Sequence, residues 1–248
     1  MSSYNFRKTR MMMMKSPLEV DLKAFWFVIC VGVALTVMIF MVLAYQICWP
    51  DIITYPWKEE EQVNQTVIFA ASFNPPHYGH IRILEYLSRR FTNVIAVVGF
   101  NPDKEYLVKP EQRAELLRDM LKSNTCTATN VKVEVVDGYI WRYAKRVGAT
   151  RFIRGIRSWE KDGYDERALQ ILNTWGPLLL GPVFPIKTIY LEGDPHYNHI
   201  SSTLIRDICS TSACDDNSFD KNKEDALSKL VPTEVAQKVA KLYQIIKK

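Results

Sequence analysis

Two histidines and a glycine, His77, Gly79 and His80, stand where an apolar β-type run, 66–71, gives way to a segment with apolar residues at helical spacing, 81–90. A strand that ends in a small-residue turn and feeds a helix start can bind phosphate, because free backbone N–H groups and the positive end of the helix dipole face the same point. His80 at that start can donate to a phosphate oxygen, and Ser72 adds a hydroxyl and a backbone N–H at the strand end. Farther along, Arg154 and Arg157 bracket Gly155 at the close of a second β-type run. Their planar guanidinium forks suit phosphates; ion pairs with Asp162 or Glu166 are the alternative. Ile200-Ser201-Ser202-Thr203 opens another helix with three consecutive donors and a cation, Arg206, one turn on, which is again an anion-binding helix start. Lys104 follows Asn101-Pro102-Asp103 in a loop. Such a set has no Cys–His or Ser–His–Asp arrangement. It suits transfer between phosphates, where cations and N–H donors must face the attacked phosphorus and an acceptor phosphate makes a protein nucleophile unnecessary.

Strand and helix patterns alternate around these residues. Strands are expected near 66–71, 93–100, 131–136, 151–156 and 186–191. Helices are expected near 79–90, 110–122, 138–147, 162–175 and 232–246, with a shorter one opening at Ser202. The alternation implies an α/β fold, a Rossmann-like parallel sheet with helices on both faces, whose ligands bind beyond the carboxyl ends of the strands. The stretch 210–224 is polar and reads as a surface loop.

Ahead of this domain, residues 24–44 carry no charge. As a helix they extend about 31 Å, the thickness of a bilayer's hydrocarbon core, with Trp26 at one end and Tyr45 and Trp49 at the other suiting the interfaces. The expected organisation is therefore a basic tail (1–23), a single transmembrane helix (24–45), a linker (46–65) and a catalytic domain (66–248). A membrane location, single-pass, follows. Lysine and arginine crowd the N-terminal side, so the positive-inside rule puts the domain across the membrane. An ATP-using domain is more at home on the cytosolic or matrix side, and topology and organelle stay open.

Net charge is +5, and Arg7, Lys8, Arg10, Lys15 and Lys23 lie in the first 23 positions. The remainder is near neutral, which argues against nucleic-acid binding. Cys30, Cys48, Cys126, Cys209 and Cys214 form no C-x-x-C pair, and the histidines show no metal-ligand spacing, so neither a disulfide scaffold nor a protein-held metal is expected.

Several ordered motifs carry a resemblance that spans about residues 66–245. They are Ser72-Phe73-Asn74-Pro75 ending in Gly79-His80, Asn101-Pro102-Asp103-Lys104 with Glu111-Gln112-Arg113, Ile153-Arg154-Gly155-Ile156-Arg157, Asp162 with Glu166 and Asn173, and Ile200 to Thr203. The chain resembles the nucleotidyltransferase superfamily with the (H/T)xGH signature, and most of all the bacterial-type phosphopantetheine adenylyltransferases. That resemblance implies in-line attack of the acceptor phosphate on the α-phosphorus of ATP, with Mg²⁺ brought by ATP, pyrophosphate released and dephospho-coenzyme A formed. By it, His80, Lys104 and Arg157 are catalytic. ATP is held by Ser72, Phe73, His80, Gly155, Ile156, Arg157, Glu166, Tyr197, Asn198, His199, Ile200, Ser201, Ser202 and Thr203. The pantetheine phosphate lies against Ser72, Lys104, Ile140 and Arg154, and a homo-oligomer is implied as well. Departures concern the acceptor. Ala71-Ser72 replaces the usual Gly-Thr, Asn74 replaces Asp, and His77 stands where Thr is usual, as in mononucleotide adenylyltransferases and cytidylyltransferases. Nicotinamide or nicotinate mononucleotide is thus the alternative acceptor, and a membrane-tethered nucleotide-binding protein without turnover is the alternative of another class.

Overall fold

The structure, a computed structural model, describes residues 17–99, 106–210 and 221–244. The chain divides into two units, Met1–Cys48 and Trp49–Lys248. In the first, helix α1 (Pro17–Cys48) runs past both ends of the uncharged stretch. Its segment Leu22–Tyr45 is long and apolar enough to cross a membrane, with a mean hydropathy of 2.9.

The second unit contains six strands: β1 (Asp51–Ile53), β2 (Val63–Ala71), β3 (Phe91–Val98), β4 (Val131–Val135), β5 (Arg151–Ile156) and β6 (Lys187–Glu192). Between and after them come α2 (Tyr78–Arg90), α3 (Pro110–Leu121), α4 (Ile140–Arg146), α5 (Trp159–Leu180), α6 (Ser202–Ser210), α7 (Lys221–Ser228) and α8 (Thr233–Gln244). The strands form one sheet in the order β1-β6-β5-β2-β3-β4, with every neighbouring pair parallel. This is the Rossmann-like parallel arrangement that the alternation of patterns implies.

Alternate residues of each strand serve opposite faces, as the two-residue side-chain period requires. Val67, Phe69, Val94, Ala96, Val98 and Ile153 enter the larger core with Leu84 and Leu87 of α2, Leu117 and Met120 of α3, and Val235 and Val239 of α8. Their neighbours Ile68, Ala70, Ile95, Val97 and Phe152 pack on the other face against Trp141 and Ala144 of α4. Both faces are thus covered, which is why the central strands read as continuous apolar runs.

Three segments differ from the sequence expectation. Asp51–Ile53, inside the expected linker, is an edge strand: Asp51 pairs with Ile189, and Lys187 Nζ meets the Asp51 carboxylate at 2.8 Å. Trp57 Nε1, from the same expected linker, donates to the Glu192 carbonyl at 2.8 Å. The linker therefore completes the exposed edge of β6, using the β-branched Ile52 and Ile53. Helix α5 continues past residue 175 and through the buried Pro177 to Leu180, closing at Gly181. A Cβ on Gly181 would stand 2.7 Å from the Trp141 ring, so a residue without one lets the helix end lie against that indole. Finally α7 occupies Lys221–Ser228, where the polar loop was expected to run on to 224; residues 211–220 lie outside the described residues.

The chain leaves β2 towards β3 and β4, then returns to the other side of β2 as β5 and β6. Strand order reverses between β2 and β5, and in open α/β sheets the crevice at such a switch point, beyond the carboxyl ends of the strands, takes the ligand. Ser72 follows β2 there, and Arg157 follows β5.

Candidate active site

The turn after β2 is held from three directions. Phe73 adopts φ +46, a left-handed conformation that is uncommon for a bulky residue and persists only where the surroundings determine it. Here the ring is fully buried, edge-on to Phe69 at 5.7 Å and 4.9 Å from the His80 ring. Arg206 Nη1 donates to the Asn74 carbonyl at 2.6 Å, and the Ser202 hydroxyl donates to the Pro75 carbonyl at 2.8 Å. The Tyr243 hydroxyl donates to Asn74 Oδ1 at 2.8 Å. Two residues expected at an anion-binding helix start, Ser202 and Arg206, therefore brace the turn from α6.

His77 caps α2, and its backbone N–H donates to His80 Nδ1 at 3.3 Å, with the rings 3.9 Å apart. Because Nδ1 accepts, the proton of His80 sits on Nε2, which is a donor. Burial first, and His77 second, hold the His80 pKa well below its ordinary value. Burial likewise lowers the pKa of His77 to about 4. Both imidazoles are neutral at physiological pH, so His80 offers a neutral N–H at the start of α2. Gly79 is needed beside them: a Cβ there would lie 3.1 Å from the His77 ring and 3.8 Å from Tyr197.

The two arginines of β5 take different partners. Arg154 makes a two-pronged bond to Glu166, Nε to Oε2 at 2.8 Å and Nη2 to Oε1 at 2.6 Å, and its Nη1 donates to the Ala70 carbonyl at 2.5 Å. Burial opposes its charge, but the hydrogen bond and charge of Glu166 outweigh burial and raise its pKa. Arg157 is more exposed and grips Asp162, Nη2 to Oδ1 at 2.5 Å, while its backbone N–H donates to Oδ2 at 2.7 Å. The hydrogen bond to Asp162 is the first cause of its raised pKa. Burial pushes the Asp162 pKa up, and the Arg157 contacts more than reverse that, leaving it low. Both ion pairs set out as alternatives to phosphate binding are thus formed. Gly155 lies between the arginines, where a Cβ would meet Ile83 Cδ1 at 2.7 Å and oblige that side-chain tip to move.

The remaining expected residues fall around the same strand ends. Ile140 Cδ1 lies 3.6 Å from where a Cβ on Gly99 would stand, a position itself 3.7 Å from the Ala71 carbonyl. Ile156 is buried, and its carbonyl accepts from Gly193 N–H at 2.8 Å, joining β5 to the segment that leads to Asn198 and His199. Tyr197 closes a short 3₁₀ turn and stands 6.3 Å from Tyr78, ring to ring. Ile200 is buried and donates its N–H to the Tyr197 carbonyl at 2.9 Å. Ser201 Oγ accepts the Leu204 N–H at 3.1 Å, and Thr203 Oγ1 accepts from Arg206 Nη2 at 3.0 Å. Lys104 lies outside the described residues. Among the described residues no group of three His, Cys, Asp or Glu could hold a metal ion.

Residues 68–208 match the family model described as Cytidylyltransferase-like. The chain belongs to that family. This cytidylyltransferase-like protein is a nucleotidyltransferase, and curated relatives cover most of it. It is 29% identical over 180 residues to a phosphopantetheine adenylyltransferase of Caldanaerobacter subterraneus subsp. tengcongensis, covering 73% of this chain and 98% of the relative. With the phosphopantetheine adenylyltransferase of Aquifex aeolicus the identity is 31% over 148 residues, 60% of this chain and 84% of the relative. A solved nicotinic acid mononucleotide adenylyltransferase of Plasmodium falciparum, complexed with NaAD, is 15% identical, with a TM-score of 0.48, covering 73% of this chain and 98% of that one.

Two residues that brace the turn after β2 make contacts that residue type alone does not announce. Tyr243, 169 positions after Asn74, reaches the turn from α8; nothing local to either residue signals the pairing. Arg113 is fully buried, and its Nη1 donates to the Ser72 carbonyl. Its signal is in the sequence: Arg113 shares the helical stripe of Leu117 and Met120, where an arginine on an apolar face needs a reason.

Proposed function

We propose that this enzyme transfers the adenylyl group of ATP to 4′-phosphopantetheine, releasing pyrophosphate and forming dephospho-coenzyme A. The observation that carries the proposal is the likeness to phosphopantetheine adenylyltransferases over nearly their whole length, 98% and 95% of two of them, at 29% and 30% identity.

An acceptor phosphate oxygen forms the new bond to the α-phosphorus, and the bond to the pyrophosphate oxygen breaks in line with it. No side chain is consumed, so the enzyme's part is positioning and charge stabilisation. His80 donates its Nε2 proton as a hydrogen bond to a phosphate oxygen without adding charge. Arg157, exposed at the mouth, exchanges part of its grip on Asp162 for the phosphates of ATP, and Lys104 supplies a further cation. The turn at Ser72 and the start of α2 offer N–H donors. Ser201 to Thr203 with Tyr197 to Ile200 form the wall for the nucleotide, and Glu166 sets the angle of Arg154, which faces the acceptor phosphate. Mg²⁺ is a hard cation that binds mainly through phosphates and water, so it fits a site whose residues hold the phosphates; when bound with ATP it neutralises charge on them. Residues 24–45 anchor the chain as a single-pass membrane protein, and the enzyme works as a homo-oligomer.

His77 favours one second reading. A histidine at that position suits nicotinamide or nicotinate mononucleotide as acceptor. The purified full-length protein, given ATP, Mg²⁺ and each acceptor separately, decides between them. Expected is pyrophosphate release with 4′-phosphopantetheine and a product of the mass of dephospho-coenzyme A. A dinucleotide product with the mononucleotide alone reverses the choice, and release with neither ends both readings.

A further inference from the structure

Arg113 is the one fully buried arginine among the described residues, and it has no carboxylate partner among them. Its Nη1 donates to the carbonyls of Ser72 and Gly99, the latter at 3.5 Å, joining the ends of β2 and β3. Its guanidinium lies 4.3 Å from the centre of the Tyr106 ring. Nε and Nη2 are buried with no hydrogen-bond partner, and none of the ion pairs among the described residues includes it. Removing an uncompensated cation from water is costly, and a buried guanidinium normally faces a carboxylate. Arg154 at the neighbouring strand end does so, with both prongs on Glu166.

A brace between two carbonyls needs no such charge; a neutral amide donates equally well. We propose that Arg113 is a specificity-determining residue: a buried cation behind Ser72, with no carboxylate partner among the described residues, that selects an acceptor bearing a phosphate dianion. It acts on the acceptor through the field it projects across the Ser72 turn, and through the position it gives the Ser72 and Gly99 carbonyls. The alkyl part of the acceptor and the nucleotide lie outside its influence. The inference takes its acceptor from the function proposed above.

The test compares binding of 4′-phosphopantetheine with that of pantetheine, which lacks only the phosphate, by calorimetry on the full-length protein in detergent. In a medium of intermediate dielectric, one cation near a phosphate changes affinity by about tenfold or more. Arg113→Gln is therefore expected to weaken 4′-phosphopantetheine by at least about tenfold while pantetheine and ATP stay within about twofold, and Arg113→Lys is expected to retain most of the phosphate preference. Equal weakening of both acceptors, or none of either, overturns the proposal, because a brace alone does not discriminate between them. If Arg113→Gln loses its cooperative unfolding transition, Tyr106→Glu replaces it. That change sets a carboxylate over the guanidinium and should abolish the phosphate preference, whereas Tyr106→Gln should keep it; identical behaviour of the two refutes the idea. If the wild type binds neither pantetheine compound, the proposed acceptor is wrong. Arg113 is then tested with inorganic phosphate, whose stabilisation of the wild type must be lost in Arg113→Gln.

Discussion

Replacing Glu166 by alanine removes one partner of a buried pair and leaves the other in place. The Glu166 side chain is 9% exposed and that of Arg154 23%. Loss of one partner from a buried pair costs about 3–5 kcal/mol when the survivor is stranded. Arg154 is not wholly stranded, since Nη1 keeps the Ala70 carbonyl at 2.5 Å and some of its surface meets water. The lower end of the range, about 3 kcal/mol, is therefore expected. For a domain of this size about 1 kcal/mol moves the melting temperature by roughly 2–4 °C, so a fall of about 6–12 °C should follow. Circular dichroism at 222 nm on the full-length protein in detergent measures it, with Glu166→Gln as companion. The glutamine keeps the shape and one acceptor oxygen but no charge, and should fall between wild type and alanine. A melting temperature within about 1 °C of wild type in the alanine variant refutes the reasoning, for it means the pair contributes no more than a surface ion pair does.

Two further outcomes are expected. His80→Ala removes a neutral donor from the proposed phosphate site and should lower kcat by at least about tenfold, the size typical of one lost donor at a charge-developing centre being nearer a hundredfold; its melting temperature should fall too, since the ring packs on Phe73 and accepts the His77 N–H, so kcat is read well below that transition, and turnover equal to wild type rules out the role given to Nε2. Stability should fall as pH drops from about 6.5 towards 4, because the unfolded chain takes up protons on His77 and His80 that the folded chain refuses, both folded pKa values being depressed by burial. Urea titrations between pH 7 and 4.5 read this, and the dependence should be flatter in His77→Asn; an unchanged slope would show that folding does not depress the His77 pKa.

Much of the domain was legible because its signals are local. Pro110 at the first position of α3 marks that helix start, and the apolar runs of β2, β3 and β5 are bounded by turns. The features that departed from expectation are tertiary. Asp51–Ile53 is too short and too near Pro50 to announce a strand, and it forms one only because β6 offers an open edge. Pro177 stays within α5 because the helix end packs on Trp141. At the candidate site, residue types pointed to the two arginines and two carboxylates but not to which pairs with which. That Arg154 chooses Glu166 and Arg157 chooses Asp162 depends on α5 beginning at Trp159, which places both carboxylates in its first two turns.

The bonds that hold the turn after β2 have a consequence for how the protein is made. Ser202, Arg206 and Tyr243 lie 127, 132 and 169 positions after the residues they tie down, Pro75 and Asn74, and so are translated well after the turn itself. Domains tend to fold as their segments emerge, yet this turn lacks its Tyr243 bond until α8 docks. The nascent chain therefore lacks the completed turn until α8 has been made, and a chain cut short before α8 lacks the Tyr243 bond to Asn74.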